Sequence, residues 1–255
     1  MEVMVDIGNT DTVVGLYQDA QLTHHWRLSS QSHRTEDESW VAIDAFFKAQ
    51  KLDPLGITGL CISSVVPDLT MIYIRMTKKY LKFEPMLISP DLNLGLRILY
   101  QDSYAVGSDR ICNAVAAKKK YGTPLIILDF GTATTFDCIA KNGDYLGGII
   151  CPGISNAAAV LHYKAAKLPK IELRFPPQVI GQTTEESMQS GIMFGSVEMI
   201  EGLIKKINKE LDSRAKVIAT GGLAHIIAKE TKAIDIVDDN LNIEGMYLIY
   251  KNNSK

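Results

Sequence analysis

Hydrophobic and polar positions follow the same pattern twice along this chain. Residues 2–6 form a short apolar run that ends on the acid Asp6. A polar turn, Gly8-Asn9-Thr10, leads into a second run over 12–17, and after Gln18-Asp19 a third covers 22–28. Strand-like runs broken by turn residues predict three strands in an antiparallel meander. The pattern restarts at Pro124. Leu125-Ile126-Ile127-Leu128 ends on Asp129, Gly131 to Thr135 supply the turn, and residues 136–140 and 145–151 follow as strands on either side of Asn142-Gly143-Asp144. Asp-Ile-Gly-Asn-Thr-Asp-Thr in the first half aligns with Asp-Phe-Gly-Thr-Ala-Thr-Thr in the second, matching acid, hydrophobe, glycine and last threonine in order.

Each meander is followed by helical spacing. Residues 35–50, 68–80 and 109–120 are predicted helices in the first half, and 184–211 is the longest in the second. In that last segment Met188, Ile192, Val197, Ile200, Leu203 and Ile207 form an apolar stripe. Met193, Phe194 and Met199 extend it onto other faces, so burial on more than one side is expected, with a second copy of the chain as the cover. Short strands are predicted at 59–63, 85–88 and 216–219. The expected fold is α/β, with two similar lobes, each a mixed sheet with helices, and a cleft between them. The predicted boundary places residues 1–118 in one lobe and 119–255 in the other.

Composition narrows the function. The 255 residues are 46% hydrophobic and 22% charged, which is ordinary for a globular protein. A formal net charge of -2 gives no electrostatic footprint for nucleic acid. Lys118-Lys119-Lys120 reads as the solvated end of a helix, where cations favour the C-terminal dipole. Asp6 interrupts the N-terminal apolar stretch, so it does not read as a signal peptide. No apolar run reaches the roughly 18–20 residues of a membrane span. A cytoplasmic protein with no nucleic-acid or membrane partner is expected. Cys61, Cys112, Cys138 and Cys151 contain no C-x-x-C pair and read as reduced thiols.

The repeated Asp-x-Gly turns carry the candidate chemistry. A strand that ends on Asp6 presents a carboxylate able to hold Mg²⁺ directly or through water. Gly8 permits close backbone approach to a phosphate. Successive N–H groups of such a turn form an anion-binding nest, to which Asn9, Thr10 and Thr12 add neutral donors. One such loop alone reads equally well as an ordinary hairpin turn; two of the same form point to a triphosphate held from both lobes. A third element, Val217 to Ala224, runs from a strand into Gly221-Gly222 and a helix, which fits a flat base lying on bare backbone. No G-x-x-x-x-G-K-[ST] sequence occurs, which excludes the P-loop route to ATP.

These three elements in order resemble the acetate/sugar kinase, heat-shock ATPase and actin superfamily, whose lobes are ribonuclease H-like. Further runs narrow the resemblance: Trp26-Arg-Leu-Ser, Ser63-Ser-Val-Val-Pro, Gly107-Ser-Asp-Arg, Tyr145-Leu-Gly-Gly, Pro152-Gly-Ile-Ser, Ala166-Lys-Leu-Pro and Glu186-Ser-Met-Gln-Ser-Gly. With the two phosphate loops they resemble type III pantothenate kinase, in order, over nearly the whole chain.

The resemblance implies ATP-dependent phosphorylation of pantothenate, the first step towards coenzyme A, by a homodimer. It implies that Asp109 is the general base and that Tyr100, Gly107, Ser108, Asp109 and Arg110 contact pantothenate, with Thr184 reaching the site from the neighbouring subunit. ATP contacts fall on Asp6, Ile7, Gly8, Asn9, Thr10, Asp11, Thr12 and Val13, and on Thr132. Asp129 matches a ligand of a monovalent cation, K⁺ or NH₄⁺, and Mg²⁺ accompanies ATP. Asp109 also reads as a helix N-cap, which does not exclude catalysis. Arg110 is suited to either the substrate carboxylate or the transferring phosphoryl group. His162 follows Pro-Gly-Ile-Ser in a helix and reads equally as an ordinary helix residue. The chain departs from the usual family pattern with Asp11, where Asn is common, Ser108, where Ala is common, and Asp102-Ser103, where Asn-Pro is frequent. Two other readings remain open: another small-molecule kinase or phosphohydrolase of this fold, and a non-enzymatic regulatory factor.

Overall fold

Both predicted meanders form, and each grows into a five-stranded mixed sheet. In the computed structural model, which describes residues 1–31 and 33–254, β1 (Glu2–Ile7), β2 (Asp11–Gln18) and β3 (Gln21–Ser29) pair antiparallel. Between this meander and the next strands comes α1 (Glu36–Ala49), then β4 (Gly59–Ser64), α2 (Pro67–Met76) and β5 (Met86–Leu87). Strands β4 and β5 add in parallel beside β1, giving the order β3-β2-β1-β4-β5. After α3 (Ser108–Tyr121), β6 (Leu125–Phe130), β7 (Ala133–Ile139) and β8 (Tyr145–Pro152) form the second meander. Helices α4 (Ile154–Lys164) and α5 (Thr184–Glu210) then lead to β9 (Lys216–Gly221), α6 (Ala224–Ala228), β10 (Ile236–Val237) and α7 (Leu241–Asn253). The second sheet runs β8-β7-β6-β9-β10, with β9 and β10 again parallel. Strand for strand, the two sheets have the same topology.

The chain divides into two compact units. The first holds Met1–Leu96, Gln101–Ala116 and the C-terminal segment from Asn240 onward; the second holds Arg97–Tyr100 and Ala117–Asp239. A single cut at residue 118 therefore describes the chain order but not the packing. Helix α7, which the sequence reading did not separate, packs in the first unit. There the Tyr247 ring stacks on Tyr17 with centroids 3.8 Å apart.

Each unit has its own core. In the first, Val3, Val5 and Ile7 of β1 and Leu60 and Ile62 of β4 pack with Ile43 and Phe47 of α1 and Leu69 and Met76 of α2. The start of α1 is fixed by a capping box, with Glu38 N–H donating to Thr35 Oγ1 and Thr35 N–H to Glu38 Oε2. In the second, Ile126 and Leu128 of β6 and Phe136 of β7 pack with Ile192, Met193, Val197 and Ile200 of α5. Phe194 meets Phe175 edge-on at 5.1 Å. The extra apolar faces of α5 are therefore covered largely by its own unit, and the helix does not by itself call for a second copy.

All four cysteines are free thiols; Cys61, Cys112 and Cys138 are buried and Cys151 is partly so. Burial pushes the Cys61 thiol up to about 12. No helix among the described residues is long and apolar enough to cross a membrane.

Candidate active site

In the first unit, β1 delivers Asp6 to the sheet end and the chain turns at once. Gly8 N–H donates to Asp11 O at 3.0 Å, and a β-carbon on Gly8 would stand 3.1 Å from that oxygen. Asn9 and Thr10 form the exposed tip. The side chains of Ile7 and Thr12 point inward, and Thr12 Oγ1 is 2.9 Å from Ser30 Oγ. Val13 is partly buried on β2. The charge of Asp11 is offset nearby: Arg27 Nη1 lies 3.3 Å from Asp11 Oδ2.

Hydroxyl contacts tie Asp6 to the start of α3. Ser63, at the end of β4, donates to Asp6 Oδ1 at 3.0 Å, and its Oγ is also 3.0 Å from Ser108 Oγ. Ser64 N–H donates to Ser108 Oγ at 2.8 Å. Neither Ser63 nor Ser64 stood out in the sequence beyond the Ser-Ser-Val-Val-Pro run. Their role appears only when the parallel β1–β4 register sets Asp6 beside Ser63. Ser108 is thus a structural fastener here.

Asp109 follows on the first turn of α3, partly buried, with Oδ1 accepting from Arg110 N–H at 2.8 Å. Gly107 leaves the room for that carboxylate. Burial raises the Asp109 pKa above the ordinary carboxylate range, against the opposing pull of the Arg110 N–H and guanidinium. Arg110 is itself buried. The Asp109 carbonyl accepts from Asn242 Nδ2 of α7 at 3.2 Å, so the C-terminal helix braces this turn. An open cavity of about 300 Å³ lies against Gly107 and Ser108, lined also by Ser64, Val65, Ile88 and Tyr104.

In the second unit the equivalent turn is one residue shorter. Phe130 pairs with Thr134, whereas Ile7 pairs with Thr12. The buried threonines Thr12 and Thr134 therefore correspond, and the alignment of Thr12 with Thr135 by sequence is corrected by one position. Gly131 N–H donates to Ala133 O at 3.0 Å, and Gly131 and Thr132 are exposed at the tip. Asn156 Nδ2 donates to Thr132 O at 2.7 Å, fixing the loop against α4. Gly221 closes β9 at φ +91°, where a β-carbon would stand 2.7 Å from Asp129 Oδ1. Beside it Gly222 is exposed and has open space above its backbone.

Tyr100 also belongs to the second unit and is 39% exposed. Thr184 opens α5, but the cap is Thr183, whose Oγ1 accepts from Glu186 N–H. Thr184 is left exposed at the helix start. His162 Nδ1 lies 2.9 Å from Leu168 O, an ordinary helix-end contact. No group of three or more His, Cys, Asp or Glu suited to a metal ion occurs among the described residues.

Residues 2–206 match the sequence profile of a family described as type III pantothenate kinase. A relative with that name from Halalkalibacterium halodurans is 46% identical over 253 residues, covering 99% of this chain and 100% of the relative. Two solved structures share the fold at low identity. A protein described as a Baf family transcriptional activator from Campylobacter jejuni has TM-score 0.63 at 22% identity, covering 98% of this chain and 97% of its own. A protein described as a 2-dehydro-3-deoxygalactonokinase from Sinorhizobium meliloti has TM-score 0.56 at 10% identity, covering 98% and 96%.

Proposed function

The chain belongs to the type III pantothenate kinase family, and from that premise we propose how its own residues perform the reaction. The activity is ATP-dependent phosphorylation of pantothenate, the first step of coenzyme A synthesis. The observation that carries the assignment of roles is the Asp109 carboxylate, held over Gly107 at the start of α3 with its pKa raised by burial. As the primary alcohol of pantothenate attacks the γ-phosphorus, the new O–P bond forms. The bond from that phosphorus to the β–γ bridging oxygen breaks, and ADP leaves. Asp109 takes the alcohol proton. A carboxylate with a raised pKa is a better proton acceptor than one at the ordinary value.

Gly107, Ser108 and Arg110 share the Asp109 turn as pantothenate contacts, and Tyr100 of the second unit is a further pantothenate contact. Arg110, buried beside the base, meets either the pantothenate carboxylate or the transferring phosphoryl group. In the first unit the turn from Asp6 to Val13, with exposed Asn9 and Thr10, offers backbone N–H groups to ATP phosphates; in the second unit the Thr132 turn does the same.

The donor set suits the metal ions that kinases use. Mg²⁺ is held by one or two carboxylates plus substrate phosphates. Asp6, with Oδ1 oriented by Ser63, is the residue to hold it. Mg²⁺ bound with ATP supplies charge neutralisation on the phosphates. Asp129 Oδ1 lies beside the bare α-carbons of Gly131 and Gly221, and this carboxylate is the residue to hold K⁺ or NH₄⁺.

A homodimer is supported by the second unit's surface. Ile150 on β8, Val160 and Tyr163 on α4, and Val179 and Ile180 before α5 are all exposed, the last by 83%. Exposed apolar side chains of this kind are what an interaction surface buries. A second copy covers it and brings Thr184 to the neighbour's pantothenate. The free thiols suit the reducing cytoplasm.

The test is direct. Purified protein with pantothenate, ATP, Mg²⁺ and K⁺ should yield 4'-phosphopantothenate, and Asp109→Asn should do so far more slowly. Nucleotide hydrolysis that ignores pantothenate would overturn the assignment.

A further inference from the structure

Residues Arg97–Tyr100 belong to the second unit, although the residues on either side of them belong to the first. Backbone pairing holds this strap on β8: Ile98 bridges Tyr145 in parallel, Tyr145 N–H donates to Arg97 O, and Leu99 N–H donates to Tyr145 O, both at 2.8 Å. A side-chain lock adds to it. Arg97 Nη2 lies 2.6 Å from Asp144 Oδ2, and Asn142 Nδ2 donates to the same carboxylate oxygen at 2.9 Å. Tyr145 is itself fixed from below, its buried hydroxyl donating to Asp137 Oδ1 at 2.6 Å.

The pairing of β7 with β8 slips at this point. Cys138 faces Gly147 and Ile139 faces Tyr145, leaving Leu146 as an extra residue. Such a bulge bends the strand and re-aims what lies on it. Here it sets Gly147 at φ +121°, directly under the Tyr100 ring. A β-carbon on residue 147 would stand 3.2 Å and 3.3 Å from Cδ2 and Cε2 of that ring. The ring rests on bare backbone, and the residue is partly exposed.

We infer that Gly147 and the Arg97–Asp144 pair are positioning residues for acceptor recognition: the β8 bulge seats Tyr100 in the orientation that meets pantothenate. The inference rests on the reading of Tyr100 as a pantothenate contact. An aromatic ring already fixed against backbone loses little freedom when substrate arrives, so its contact contributes more fully to binding. Neither Gly147 nor Arg97 touches substrate in this account; each acts through Tyr100.

Steady-state kinetics on the intact enzyme separate the two ideas. The set is wild type, Tyr100→Ala, Gly147→Ala, Arg97→Gln and the double variants Tyr100→Ala/Gly147→Ala and Tyr100→Ala/Arg97→Gln, each with a thermal melt. Gly147→Ala and Arg97→Gln should each raise the pantothenate KM about tenfold, since misplacement by about 1 Å can cost up to about 100-fold. The ATP KM should stay within about twofold of wild type, the pattern of lost acceptor binding alone. In the Tyr100→Ala background neither change should add to the pantothenate KM. Arg97 is exposed, so its variant reports even if Gly147→Ala folds poorly at its positive φ. An unchanged pantothenate KM in Tyr100→Ala removes the contact reading and this inference with it. A raised KM in Tyr100→Ala alone, or full additivity in the double variants, keeps the contact and overturns the seat.

Discussion

The carboxylate of Asp109 crowds the bare α-carbon of Gly107: a β-carbon on residue 107 would stand only 2.4 Å from Oδ1 of the acid. The Gly-x-Asp spacing is thus a steric requirement as well as a motif. Gly107→Ala should displace the carboxylate while leaving the α3 core positions Ile111 and Val115 packed. A kcat loss of at least about tenfold is expected, on the scale that small misplacements cost. Circular dichroism and melting should stay near wild type. Full activity in the alanine variant would show that the carboxylate position is not critical.

Asp109→Asn should lower kcat by about 10²–10⁴, the usual contribution of a general base. Its effect on stability should have the opposite sign. The folded-state pKa of Asp109 is raised, chiefly by burial, so between the unfolded and folded pKa values the native state binds more protons. Stability contributed by the protonated acid is full below the unfolded value and lost as pH rises through the folded one. At neutral pH the ionised acid therefore weighs against the fold, and the neutral amide should melt no lower than wild type. A clearly lower melting temperature would place Asp109 among the structural caps.

The same shift sets the pH profile. A base must be ionised to accept a proton, so kcat/KM should fall as pH drops through the Asp109 pKa. That acid limb should lie above the ordinary aspartate value of about 3.9. Pantothenate is titrated separately to account for its own carboxylate. An enzyme still at full rate well below the ordinary carboxylate range would exclude this base.

Asp129 stands next to last in β6, at the second Asp-x-Gly turn. At constant ionic strength, KCl or NH₄Cl should activate more than NaCl, and Asp129→Ala should flatten the difference. Equal rates in all three salts for the wild-type enzyme would count against a cation there.

The proposed dimer rests on apolar side chains exposed in the second unit. Ile150→Asp with Tyr163→Asp should shift sedimentation towards the monomer and remove activity with it. Mixing Asp109→Asn with Thr184→Arg subunits tests composite sites. Heterodimers then hold one site with both residues intact, so up to about half the wild-type sites should recover. Silence from the mixture after proven subunit exchange, or an active monomer, would defeat the shared site.

The sequence by itself determined the repeated strand–turn–strand plan, the two Asp-x-Gly turns, the Gly221-Gly222 turn and the Gly107–Arg110 motif at the start of a helix. These were legible because turn chemistry and strand alternation act over a few neighbouring residues. Other features were decided only by tertiary structure. The one-residue shortening of the second turn, which makes Thr134 the partner of Thr12, depends on strand register. The Asp6–Ser63–Ser108 link joins three distant segments. The strap at Arg97–Tyr100 crosses into the other unit, and α7 returns from the C-terminus to brace Asp109 through Asn242. Met193 looked like a surplus apolar face along the chain and proved to be part of the core of the second unit. Local pattern shows that a side chain must be buried. Which surface buries it is settled only when segments far apart in the chain compete for the same apolar area.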